Sequence, residues 1–130
     1  MPKAQTPTRR SAERFDLIER TGRFGEAAIR FCRTVPETTV ARPLIGQLVR
    51  ASTSIGANWC EADNPESKKD FRHKTGICLK EARETTHWLR MMATAAPEMK
   101  DAIRPLWREA RELSLIFASM IRASKKAEGE

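Results

Sequence analysis

The chain has 130 residues, of which 40% are hydrophobic and 32% charged, with a formal net charge of +7 and a pI near 9.8. That length and balance fit one soluble domain with a single core and exclude a disordered chain. No apolar run approaches the roughly twenty residues of a membrane span, and the opening MPKAQTPTRRSAER holds no apolar stretch, so neither an anchor nor a secretory signal is expected.

Residues 1–10 carry two prolines with Lys3, Arg9 and Arg10 and read as a flexible basic tail, leaving residues 11–126 as the folded domain. Ser11 is placed to cap a first helix carrying Phe15, Ile18, Ala28, Ile29 and Cys32 and stopping near Pro36. Gly22 and Gly25 weaken its middle by roughly 1 kcal/mol each relative to Ala, so a break between Thr21 and Gly25 is anticipated.

A second helix begins around Thr39, tolerates Pro43 in its first turn where no N–H is needed, and ends at Asn64-Pro65. Leu44, Leu48, Ile55 and Trp59 fall on one stripe of it, among small residues (Ala51, Ser52, Thr53, Ser54, Gly56, Ala57) that let a neighbouring backbone come close.

Ser67 with Asp70 three residues on is an acidic variant of the capping box and opens the third helix. Phe71, Cys78, Ala82, Thr85, Leu89 and Met92 keep the 3.6 period to about Ala95. Pro97 opens the fourth, with Ile103, Leu106, Ala110, Leu113, Phe117 and Met120 inward; Pro105 implies either a later start or kinked first turns. No segment alternates with period two. The predicted fold is all-α, an antiparallel up-down-up-down four-helix bundle. Trp59, Phe71, Trp88, Trp107 and Phe117 lie in helical patterns and are assigned to the core. Cys32, Cys60 and Cys78 form no CxxC pair and no zinc-spaced cluster, and read as small buried thiols of a reducing, cytoplasmic compartment.

The stretch QLVRASTSIGANWCEAD, then SKKDF and ICLKEARETTHWLRMM, resembles the bacterial four helix bundle proteins, also known as the 23S ribosomal RNA intervening-sequence proteins. The matching positions are Arg50, Ser54, Ile55, Asn58, Glu61, Ser67, Asp70, Phe71, Glu81 and Glu84, within a likeness spanning about residues 24–121. Gly56 stands where that family often has proline, and Cys60-Glu61-Ala62-Asp63 where Ala-Glu-Gly is usual. The resemblance implies a bundle that assembles into a ring-like homo-oligomer, typically a pentamer. It also implies kinship with the accessory variability protein of diversity-generating retroelements, a basic bundle associated with nucleic acid.

Three clusters of side chains could carry chemistry. Glu84-x-x-His87 matches half of a di-iron motif, but the second histidine, His73, sits on the same helix about four turns away and cannot converge with it. No catalytic residue, metal ligand or cofactor is therefore assigned. Asn58 and Glu61 on the second helix, with Glu81 and Glu84 on the third, are expected to form a structural polar network that fixes register, Asn58 lying near Lys74 or Ile77. Arg104, Arg108, Arg111, Arg122 and Lys125 share one face of the fourth helix, and a basic face with a positive net charge favours phosphate. Glu112 flanks it and Glu109 lies farther round the helix, and an Arg108–Glu112 pair is one way the face is neutralised. The expected function is a non-enzymatic, self-assembling bundle that binds RNA or DNA through these basic residues. The alternative is a protein-interaction adaptor that binds no nucleic acid.

Overall fold

The computed structural model describes the backbone of residues 9–129 and the side chains of residues 17–129. It contains α1 (Arg9–Thr34), α2 (Ala41–Ala62), α3 (Lys68–Ala95), a 3₁₀ turn at Pro97–Met99, and α4 (Lys100–Ala127). Residues 1–8 of the expected basic tail lie outside the described residues. No strand occurs among the described residues.

Local chemistry sets most of the helix ends. The Thr38 carbonyl accepts the Arg42 N–H and its hydroxyl accepts the Ala41 N–H, both at 3.0 Å, which satisfies early donors of α2. At α3 the predicted box forms: the Asp70 N–H donates to Ser67 Oγ at 3.0 Å, and the Glu66 N–H donates to Asp70 Oδ2 at 3.0 Å. That accepted backbone bond holds the Asp70 carboxyl below the usual carboxylate range, and Lys74 adds to the effect at 3.2 Å. α3 stops where Ala96, which precedes Pro97, leaves helical geometry at φ −136° and ψ 72°. α4 begins five residues before Pro105 and continues through it. The missing Pro105 N–H would have met the Asp101 carbonyl; both residues are exposed, so water can take that place.

α1 departs from the sequence expectation in three ways. It begins at Arg9, so Ser11 lies within the helix and does not open it, and it runs unbroken through Gly22 and Gly25. Its buried stripe is Leu17, Thr21, Phe24, Ala28, Phe31 and Cys32, with Val35 just beyond, whereas Ile18 and Ile29 are exposed. The cause is close packing on α2. A Cβ on Gly56 would lie 3.3 Å from Thr21 Oγ1, and one on Gly25 would lie 3.6 Å from the Thr53 Cα. Tertiary contact at these points offsets the intrinsic weakness of glycine in a helix. Thr21 fits there because its hydroxyl donates back to the Leu17 carbonyl at 2.6 Å, leaving no unpaired polar group in the seam.

Contacts between helices run in opposite directions. Thr21 meets Gly56 while Gly25 meets Thr53; Arg50 meets Glu84 while Trp59 meets Phe71; and Arg72 near the start of α3 reaches Ser124 and Glu128 at the end of α4. Each helix packs on the next and α1 closes on α4, which gives the predicted antiparallel bundle, with the α1–α4 seam the thinnest among the described residues. Trp59, fully buried, lies edge-on to Phe71 at 6.3 Å and tilted against Phe117 at 5.7 Å, so a single side chain joins α2, α3 and α4. Leu48, Ile55, Leu89, Leu113 and Phe117 are likewise wholly buried, as their periodicity predicted.

Replacing one of these residues removes contacts on several sides at once. Leu113→Ala is expected to lower unfolding free energy by about 2–5 kcal/mol. Urea denaturation followed by circular dichroism measures it, and a loss below about 1 kcal/mol would be incompatible with this packed layer.

Candidate nucleic-acid interface

α4 carries the basic residues singled out in the sequence. Arg104, Arg108, Arg111, Arg122 and Lys125 are all exposed, while Leu106, Leu113 and Phe117 of the same helix are buried. Arg104 makes a loose contact with Asp101 at 3.8 Å, one helical turn earlier. Arg108, Arg122 and Lys125 form no ion pair among the described residues, and the expected Arg108–Glu112 pair does not form. The Arg111 guanidinium lies 5.7 Å from the centre of the Trp107 ring. Trp107 itself corrects the core assignment: it is 38% exposed, because it stands about 100° round the helix from the inward Leu106.

Glu109 follows Arg108 in sequence but stands about 100° round the helix from that residue. Arg20 of α1 grips it with both arms of its fork, Nε donating to Oε2 and Nη2 to Oε1, each at 2.8 Å. One carboxylate thereby fastens the thin α1–α4 seam instead of neutralising its own helix. No sequence signal announced this pair, since its members are 89 residues apart.

The four-member polar network assembles only in part. Glu81 and Glu84 of α3 converge on Arg50 of α2, at 3.3 Å and 2.8 Å, with the Glu81 side chain largely buried and Arg50 about half exposed. Arg50 is the hub that the expected set lacked; the Glu84 hydrogen bond is the main cause that holds its guanidinium above the usual range. Asn58 lies outside this cluster because its amide donates to the Ser54 carbonyl of its own helix at 2.8 Å. Glu61 is exposed, and its side chain has no hydrogen bond or ion pair among the described residues. Lys74 turns to Asp70, one helical turn back, and not to Asn58. Fastened to Arg50, Glu84 serves α2–α3 register. His87 is exposed, with its ring 4.8 Å from that of Trp88. No three of His, Cys, Asp and Glu are grouped to hold an ion among the described residues.

The profile of the 23S rRNA-intervening sequence protein family matches residues 13–119, most of the folded chain. The chain belongs to that family. A crystal structure of an S23 ribosomal protein family member from Bacteroides thetaiotaomicron, itself of unknown function, superposes with a TM-score of 0.70. It shares 27% identity, over 81% of this chain and 97% of that one. No curated protein matches. No helix among the described residues of this intervening-sequence family member is long and apolar enough to cross a membrane.

The three thiols do not share one environment. Cys32 and Cys78 are buried, and loss of solvation pushes them up to about 11 and about 12. Cys60, expected to be buried, is exposed at the α1–α2 groove. A colorimetric disulfide reagent at about pH 8 should therefore leave Cys32 and Cys78 unmodified in the folded chain and reach them only on unfolding. Because both folded values exceed the ordinary 9.0, the unfolded chain ionises first. Their stabilising contribution is full below about pH 9 and declines as pH rises toward the folded values. Rapid modification of all three thiols in the folded protein would contradict this burial.

Proposed function

We propose that this chain is a non-enzymatic scaffold that binds the phosphates of RNA or DNA along α4 and joins copies of itself through the α1–α2 face. The phosphate reading is supported above all by the exposed cationic row of Arg104, Arg108, Arg111, Arg122 and Lys125, whose one acidic contact among the described residues is the loose one at Asp101. Glu109 is held by Arg20 on another side of the helix, and Glu112 pairs with no residue of the row. Arg104 and Arg122 are separated by about 27 Å along the helix, enough for several phosphates in succession. Each contact is weak alone. Repetition around an oligomer raises the effective strength without any new contact, because binding at one copy concentrates the ligand near the next.

Self-association is supported by an open groove in which Ile18 and Ile29, each 41% exposed, flank Gly22, Gly25 and Ala57. A glycine-floored groove with large apolar flanks suits a second helix at close approach. The family resemblance makes five copies the expected number.

Replacing Arg104, Arg108 and Arg111 together by Gln should weaken binding of RNA and DNA across sequences alike. It should also flatten the fall of affinity with salt, since fewer counterions are released. Fluorescence anisotropy with labelled oligonucleotides over a salt series reads both effects. Parent protein that binds no nucleic acid at physiological salt would favour the adaptor alternative. For assembly, sedimentation should give a mass several times 14.8 kDa, and Ile29→Glu should shift it toward the monomer. A monomeric parent at micromolar concentration would end the assembly proposal.

A further inference from the structure

Trp107 is the one tryptophan that burial does not explain. Trp59 is wholly enclosed and Trp88 is packed against the core, yet Trp107 leaves 38% of its surface outside. Its helical neighbours are basic: Arg104 lies three residues before it, Arg111 four after, and Arg108 directly follows, so the ring sits between guanidinium groups on one surface. The Arg111 Cζ is 5.7 Å from the ring centre, close enough for a cation–π contact. Asp101 touches Arg104 only at 3.8 Å, and its own side chain is almost completely solvated. Glu109 is committed to Arg20.

An aromatic ring flanked by cations offers two recognitions at once, a π-face for a base and fixed positive charge for the phosphates on either side of it. Bases in a duplex have both faces covered by neighbouring pairs, so a surface ring cannot stack on them without melting the helix. An unpaired base has a face to offer, and stacking on an aromatic side chain accepts any base. Arg104 and Arg111 stand about 10 Å apart along α4, with the ring between them. We propose that Trp107 is a stacking platform for an unpaired base and that Arg104, Arg108 and Arg111 hold the adjoining phosphates, so that α4 prefers single-stranded nucleic acid to duplex. This rests on the phosphate-binding reading of α4 and narrows its substrate class.

The test titrates labelled single-stranded RNA, single-stranded DNA and blunt duplexes of equal length into the full chain. The proteins compared are the parent, Trp107→Leu, Trp107→Phe and the triple Gln variant, each first checked for an unchanged thermal transition. The parent should prefer single strands. Trp107→Leu should lose roughly five- to hundredfold in single-strand affinity, the range that one base–aromatic stack contributes, with duplex binding and the salt slope unchanged. Trp107→Phe should retain most of the affinity, because a ring remains. Single strands should also quench tryptophan emission in the parent and much less in Trp107→Phe, where only Trp59 and Trp88 remain to emit. Trp107→Leu that binds single strands like the parent, or loses single strand and duplex equally, overturns the platform. If the triple Gln variant still weakens binding in that case, phosphate contact by α4 survives and only the stacking assignment falls. A parent that binds neither single strand nor duplex overturns both, and leaves the Trp107–Arg111 pair to the anchoring of a protein partner, a role in which Trp and Arg are enriched.

Discussion

Trp59 is the side chain on which the bundle closes. It comes from α2, lies edge-on to Phe71 of α3 and tilts against Phe117 of α4, with no surface left to solvent. Its indole N–H meets no acceptor among the described residues, and its ring contacts with Phe71 and Phe117 set its orientation. Three helices must therefore keep their spacing and register at one level, and the rest of the apolar stripe follows above and below. Hydrophobic burial drives this assembly without direction; the shape of one large ring supplies the direction.

Charge does the complementary work at the rim of the bundle. Arg50 fixes α2 against α3 by gathering Glu81 and Glu84, Arg72 ties the start of α3 to Glu128 and Ser124 at the end of α4, and Arg20 clasps Glu109 across the α1–α4 seam. Partly exposed pairs of this kind add little stability each. None of these carboxylates pairs with an exposed arginine of α4. A net charge of +7 says nothing about where the excess lies; the inter-helix pairing distributes it.

α1 differs in character from the other three helices. Glycines at positions 22 and 25 give it a low intrinsic propensity, and its continuity follows from contact with the small residues of α2. The same small residues leave a shallow groove on the outer side, flanked by Ile18 and Ile29. Close packing inside and an apolar furrow outside are thus two results of one sequence choice, the absence of side-chain bulk where the helices cross.

The sequence by itself determined the helices α2 to α4, the cap of α3 and most of their buried stripes. These depend on interactions within one turn or on a 3.6-residue period, as the Ser67–Asp70 box and the run from Phe71 to Met92 show. The exposed basic row of α4 was legible for the same reason, since spacing along one helix fixes which residues share a face. Where α1 begins, its unbroken course, the exposure of Ile18, Ile29 and Cys60, and the partners of Glu109, Glu81 and Glu84 were decided by tertiary structure alone. Those features depend on which residues of other helices stand opposite, and periodicity within one helix carries no record of its neighbours. Asn58 shows the limit from the other side: a polar residue expected to bridge two helices instead donates its amide to the carbonyl one turn back on its own helix.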